Sequence, residues 1–341
     1  MEPVLPISHS QQSSQTVPLI SVVCPVYYAE LSLRELTERC ARALQSINLS
    51  YEIIFVDDRS PDHSWKTIQS LCAQDPRVKG IRLSRNFGQH AAITAGIELA
   101  RGKNLCILDC DLQHDPQFIP LLYEKIAQGY DIVYTYAEKP KHSLFKKIAG
   151  ALFHKFFNWL SENNIESSRK IGNFSMISRR VANAFLKIKD QHRHYRMILQ
   201  LLGFTSTVIE IEHKDRPYGK SSYSFQKLVM HAIDGLISQS TRVLRLSIVL
   251  GFLVCFGSFV YATYLCAAYF MHRTLVGWTS TNVIILFCTG ILLIFMGIIG
   301  AYVGKIFEQV KERPIYLVDS LLNFEAETEN ARERVSELLW N

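Results

Sequence analysis

Several familiar signatures are missing from this chain. It has no C-x-x-C pair, no G-x-G-x-x-G after its first apolar run and no G-x-x-x-x-G-K-[ST]. The first absence removes paired thiolate metal sites, and the other two remove the usual dinucleotide and P-loop phosphate cradles. The eight cysteines (Cys24, Cys40, Cys72, Cys106, Cys110, Cys255, Cys266 and Cys288) follow no framework spacing and read as buried, reduced thiols. With 17 glycines and 11 prolines in 341 residues, the composition is neither collagen-like nor disordered. Residues 1–18 have neither a basic start nor an apolar run of secretory length, and are expected to form a loose cytoplasmic tail.

Charge is also missing over one long stretch: from Leu246 to Tyr302 only Arg273 carries a full charge. As a helix, Leu246–Phe270 would reach about 37 Å, more than the roughly 30 Å of bilayer hydrocarbon. A link, Met271–Thr281, leads to a second uncharged run, Asn282–Tyr302. Two such spans make a C-terminal transmembrane hairpin. Arg242 and Arg245 precede it and Lys305, Lys311 and Arg313 follow, whereas the link holds only His272 and Arg273. The positive-inside rule therefore places the N-terminal region and the tail, 303–341, in the cytoplasm of a multi-pass inner-membrane protein. Neither span contains an Asp, Glu, Lys, Arg or His, so the hairpin reads as an anchor and not as a transport path. Residues 144–160 and 223–242 are amphipathic and are expected at the membrane surface; for the first, packing on the domain core is the alternative.

The net charge of +6 is unevenly distributed, with cations concentrated over 139–155 and 169–196 and an acidic stretch from Asn323. A basic face beside a membrane suits anionic headgroups and phosphorylated substrates, and no nucleic-acid partner is expected.

From Leu19 to Thr135, short apolar runs (LISVVCPV, YEIIFV, VKGIRL, NLCILD, DIVYTY) alternate with stretches of helical period. This is the pattern of an α/β domain, spanning about 19–222, with a mainly parallel sheet covered by helices on both faces. Ligands of such sheets bind beyond the carboxyl ends of the strands. Pro25, Tyr27 and Glu30 follow the first run; Asp57, Asp58, Ser60 and Asp62 the second; Arg85 to Gly88 the third; Asp109, Asp111 and Gln113 the fourth. Two aspartates one residue apart and a glutamine offer hard oxygen ligands suited to Mg2+ or Mn2+. In the sequence that follows, Asp115 is read as a helix cap, Pro116 as the first-turn residue and His114 as a turn residue.

SVVCPVYYAE, EIIFVDDRSPD, LSRNFGQHAAITAGIELARG, ILDCDLQHDP, GNFSMISRRV and RPYGKSSYS occur in that order, followed by the apolar runs and GAYVGKIFEQVKERPIY. Together, from about Leu19 to Tyr316, they resemble the polyprenyl-phosphate glycosyltransferases of the large inverting family with a GT-A (Rossmann-like) fold. The resemblance implies metal-dependent transfer of a sugar from a nucleotide-sugar donor, UDP-sugar favoured, to a membrane polyprenyl phosphate such as undecaprenyl phosphate. It implies donor-nucleotide contacts from Pro25, Tyr27, Glu30, Asp57 and Asp109, and metal contacts from Asp109, Asp111 and Gln113. Arg216 and Ser221 would lie on a loop near the phosphates, with Arg193 and Arg196 as a matching basic pair. Asp109, Asp111 and Arg216 are the implied catalytic residues.

The chain departs from the family pattern at three places. Lys139 and Lys141 stand where an arginine is usual and are expected to serve the phosphates instead. Asn173 replaces an aspartate and can act only through hydrogen bonds. Ser222 replaces a lysine. A transferase to another lipid or glycan, and a catalytically silent nucleotide-sugar-binding scaffold, are the competing readings. Q-x-x-R-W, expected of processive synthases, is absent. Oligomeric state, including a homo-oligomer, is left open.

Overall fold

The computed structural model describes residues 17–137, 171–191, 193–211, 242–270 and 278–324. Eight strands form one sheet, and the first five lie where the apolar runs predict: β1 (Ile20–Val26), β2 (Tyr51–Asp57), β3 (Val78–Leu83), β4 (Asn104–Ile107) and β5 (Ile132–Ala137). Between them run α1 (Leu33–Gln45), α2 (Ser64–Gln74), α3 (Gln89–Leu99) and α4 (Ile119–Ala127). Then follow β6 (Ile171–Ser178), α5 (Arg179–Lys187), α6 (Tyr195–Leu202), β7 (Ser206–Ile211), α7 (Arg242–Phe270), α8 (Trp278–Val310) and β8 (Val318–Leu322). The strand order is β7-β5-β6-β4-β1-β2-β3-β8. β1 pairs in parallel with β2 and β4, β2 with β3, and β5 with β7; β6 and β8 run antiparallel to their neighbours.

Alternation along the central strands divides the core into two. Val22, Cys24, Ile53 and Phe55 face α1, α2 and α4, packing on Leu36, Ile68 and Leu122. Val23, Ile54, Val56 and Ile107 face the other way, onto Ile93, Val181 and Tyr195 of α3, α5 and α6. A strand buried on both faces has no polar side, which is why these segments read as near-continuous apolar runs. In α1, Leu33, Leu36, Cys40 and Leu44 recur at helical spacing and give the helix one buried face. α3 lies closest to the sheet: a Cβ on Gly96 would come within 2.3 Å of Val23 Cγ1, so only glycine permits that approach.

The carboxyl-terminal part differs from its reading as a tail after residue 302. α8 continues to Val310, and β8 adds to the sheet edge beside β3. Tyr316 and Val318 are buried, and the Asn323 side chain donates to the carbonyls of Cys72 and Val78 at 2.7 and 2.8 Å. A short run such as VDSLL lacks a periodic signal of its own and is defined by its partner strand.

Within α8, Phe287–Val310 has a mean hydropathy of 2.1 and no buried residues, and is the one stretch among the described residues long and apolar enough to cross a membrane. α7 carries a shorter apolar stretch, Val249–Tyr261. The amphipathic segments 144–160 and 223–241 lie outside the described residues, as do Lys139, Lys141, Arg216 and Ser221.

Candidate active site

The order β4-β1-β2-β3 brings four strand ends side by side, and their loops are bound to one another by carboxylate and hydroxyl side chains. After β1, Tyr27 and Tyr28 are exposed, their rings edge to face at 4.9 Å, and Tyr28 takes a left-handed φ of 55°. The amides of Tyr28, Ala29 and Glu30 donate to Ser60 Oγ, Ser64 Oγ and Asp62 Oδ2 at 3.3, 3.1 and 3.2 Å. Glu30 answers by accepting from the His63 amide at 3.3 Å. Pro25, within β1, is buried beside Val56.

Asp57 ends β2 with no exposed surface. Its Oδ1 accepts from the Ser60 amide at 3.1 Å, and its Oδ2 lies 3.5 Å from Arg82 Nε without a hydrogen bond. Burial raises its pKa against the lowering pull of Ser60 and Arg82. The charge of Arg82 offsets part of the cost of burying that oxygen without a hydrogen bond. Asp58 holds the next loop, accepting from the amides of Phe87 at 2.7 Å and Gly88 at 2.8 Å. Gly88, at φ 94°, makes the turn that opens α3.

Asp109 follows β4 and is held from two sides. Gln89 Nε2 donates to its Oδ1 at 2.7 Å and Asn173 Nδ2 to its Oδ2 at 3.4 Å. Removal from water, and then the charge of Asp111, push the Asp109 pKa up to about 6; Asn173, Gln89 and Arg196 act in the opposite direction. Asp111 Oδ1 accepts from the Gln113 amide at 3.2 Å across Leu112, a buried residue at φ 58°. A left-handed leucine costs roughly 1–2 kcal/mol, and here it turns the Asp111 and Gln113 segment back on itself.

Among the described residues no three His, Cys, Asp or Glu side chains converge. A metal ion would therefore have two carboxylates, Asp109 and Asp111, with the Gln113 side-chain carbonyl oxygen and substrate oxygens completing its shell. The donor set fits Mg2+ or Mn2+, both of which retain open positions for phosphate oxygens. The mutual repulsion that raises Asp109 is what a divalent cation relieves.

Arg196 and Arg193, expected as a pair, are used differently. Arg196 is half-buried, and its charge acts on Asp109. Arg193 is 6% exposed, stacks 5.0 Å above the Phe185 ring and reaches the Phe185 carbonyl at 3.4 Å. Its surroundings are those of a core-packing guanidinium.

Further residues connect to this arrangement. Gln89 touches Asp109 directly, and His90 lies between α3 and α6. His90 Nδ1 accepts from the Tyr195 amide at 3.4 Å, and its Nε2 lies 3.0 Å from His194 Nδ1. Burial, then His194 and Arg196, lower the His90 pKa to about 3, which keeps the ring neutral. Tyr195 is fully buried and shares a 2.9 Å hydrogen bond with Ser175, whose hydroxyl donates to the Asn173 carbonyl at 2.9 Å. Gln89 and His90 form the Q-H pair after Gly88, but nothing in the sequence ties them to positions 109 and 194.

Asp115 caps the short helix at Pro116–Phe118 by accepting from the Gln117 amide at 3.1 Å, as expected. His114 is buried 5.7 Å from the Phe174 ring.

Residues 21–186 match the family model "Glycosyl transferase family 2". The uncharacterized glycosyltransferase YkcC of Bacillus subtilis (strain 168) is 33% identical over 307 residues, covering 89% of this chain and 94% of that protein. The undecaprenyl-phosphate 4-deoxy-4-formamido-L-arabinose transferase of Proteus mirabilis (strain HI4320) is 31% identical over 324 residues, covering 92% and 97%. Among solved structures, glucosyl-3-phosphoglycerate synthase from Mycobacterium tuberculosis, in complex with Mn2+ and UDP-glucose, aligns with a TM-score of 0.47. That alignment is 12% identical and covers 65% of this chain and 77% of that one. With a relative one-third identical along nearly its whole length, this chain belongs to glycosyl transferase family 2 and is a glycosyltransferase.

Proposed function

We propose that the protein transfers a sugar, with inversion, from a nucleotide-sugar donor, UDP-sugar favoured, to a membrane polyprenyl phosphate such as undecaprenyl phosphate. The observation that carries this reading is the Asp109–Asp111 pair at a sheet edge from which the same chain continues into an apolar, unburied helix. The names of the undecaprenyl-phosphate relatives support the acceptor class.

On this reading Tyr27, Glu30 and Asp57 receive the nucleoside. The exposed Tyr27 ring offers a stacking face, while Asp57 is assigned by resemblance and shapes its loop by holding the Ser60 amide. Asp109, Asp111 and Gln113 hold Mg2+ or Mn2+, which supplies charge neutralisation for the departing diphosphate. Gln89 and Asn173 orient Asp109 by one amide hydrogen bond to each carboxylate oxygen. Arg196 adds positive charge beside it, and Arg216, Ser221, Lys139 and Lys141 are assigned to the phosphates by resemblance. A lipid phosphate is ionised near neutral pH and needs no strong base to attack the anomeric carbon. The protein's task is to bring two anions together, which requires cations on both.

The two spans Leu246–Phe270 and Asn282–Tyr302, with the catalytic domain and both termini cytoplasmic, hold the site at headgroup level. The test is nucleoside diphosphate release by purified full-length protein with Mg2+ or Mn2+ and a panel of nucleotide sugars. Release that requires polyprenyl phosphate supports the reading, and release at the same rate without it overturns the acceptor.

A further inference from the structure

The loop after β2 is where the donor-side loops meet. Asp57 holds the Ser60 amide, Asp58 the amides of Phe87 and Gly88, and Ser60, Asp62 and Ser64 those of residues 28–30. Arg59 sits in the middle at φ 55°, a conformation uncommon outside glycine. Its guanidinium reaches across to β8 and pairs with Asp319, Nη1 to Oδ2 at 3.2 Å.

The segment around β8 touches the neighbouring parts of the site as well. The Ser84 amide, at the root of the loop that Asp58 holds, donates to the Leu317 carbonyl at 2.9 Å. Tyr316 donates its hydroxyl to Glu98 Oε2 at 2.5 Å, on the helix whose first residue holds Asp109.

The same segment follows directly on α8. At the helix end Gln309 Nε2 donates to the Lys189 carbonyl at 2.9 Å, and the Gln191 amide donates to Gln309 Oε1 at 3.0 Å. Gln191 Nε2 donates to the Arg313 carbonyl at 2.8 Å. These bonds clasp the end of the apolar helix to the segment between α5 and α6, just ahead of His194 and Arg196. The apolar helices are thus inserted between two strands of one sheet, β7 and β8, and are not appended after it.

We propose that residues 313–323 form a positioning strap, with Asp319 and Arg59 as its positioning residues, which links the seating of α8 to the binding of a nucleoside diphosphate by the strand-end loops. The inference rests on the donor reading above. Any shift of α8 moves the strap through the glutamine clasp, and the strap reaches the loop after β2 through Arg59 and the loop after β3 through Ser84. Occupation of the pocket in turn steadies the strap, because linkage is reciprocal.

The test uses the full-length protein in lipid nanodiscs, with UDP and GDP as probes, titration calorimetry for affinity and amide hydrogen exchange for the strap. In the wild type, nucleotide is expected to slow exchange over Val318–Leu322. In Arg59→Ala that protection is lost while protection of β1 persists. Arg59→Ala and Asp319→Ala are each expected to weaken UDP binding about three- to fivefold, the scale of one half-exposed ion pair. The double exchange Arg59→Asp with Asp319→Arg should return affinity to within about twofold of wild type. Exchange over β8 that ignores nucleotide, or a double exchange no tighter than the single variants, overturns the strap. A wild type that binds neither UDP nor GDP overturns the donor reading and the strap together, so the two failures are distinguishable.

Discussion

At the scale of single residues, Asp109 and Asp111 carry the account. Asp111→Ala should lower turnover by at least about a hundredfold, the usual scale for losing a charge-stabilising group, with the fold retained by circular dichroism. Near-normal turnover would remove Asp111 from the metal assignment. The pH dependence follows from Asp109. Its raised pKa, about 6, means that a proton competes with the ion below that pH. Mn2+ affinity measured calorimetrically should be level above pH 7 and fall about tenfold per unit below pH 6. The sign for folding is the reverse. A raised carboxyl favours the metal-free folded state below its unfolded value of about 4 and loses that contribution as pH rises through about 6. Much of this was legible in the sequence, because Asp109, Asp111 and Gln113 are neighbours and the turn needs no distant partner. The Gln89 hydrogen bond to Asp109 and the His90–His194 pair were not legible. They join positions brought together only by the packing of α3 and α6 on the sheet.

At the scale of elements, the strands and helices of the first half follow from periodicity, since each buries a face dictated by its own side chains. Close approach is the exception. Gly96 lets α3 lie against Val23 and thereby sets where Gln89 ends, so Gly96→Val should destabilise the domain by about 1–3 kcal/mol. The readout is a fall in thermal midpoint accompanied by weaker Mn2+ binding; an unchanged midpoint would contradict the packing. β8 escaped detection for the opposite reason. Its residues gain their burial from β3 and their register from that partner, so a five-residue run with one aspartate gave no warning. The same contrast separates Arg193 from Arg196: alike in sequence, one is enclosed over Phe185 and the other borders Asp109.

At the scale of the whole molecule, the chain leaves the sheet after β7, runs through the apolar helices and returns as its last strand, β8. The topology proposed from the flanking cations makes a direct prediction. In full-length protein in cells, a cysteine placed in the 271–281 link should react with a membrane-impermeant thiol reagent added outside, and one placed after Phe324 should not; the reverse pattern would refute the two-span hairpin. The central claim concerns the product. Full-length protein incubated with Mn2+, a panel of nucleotide sugars and undecaprenyl phosphate should yield, by mass spectrometry of the extracted lipid, undecaprenyl phosphate heavier by one sugar residue for at least one donor, and none when EDTA is present. Unmodified undecaprenyl phosphate with every donor would contradict the account.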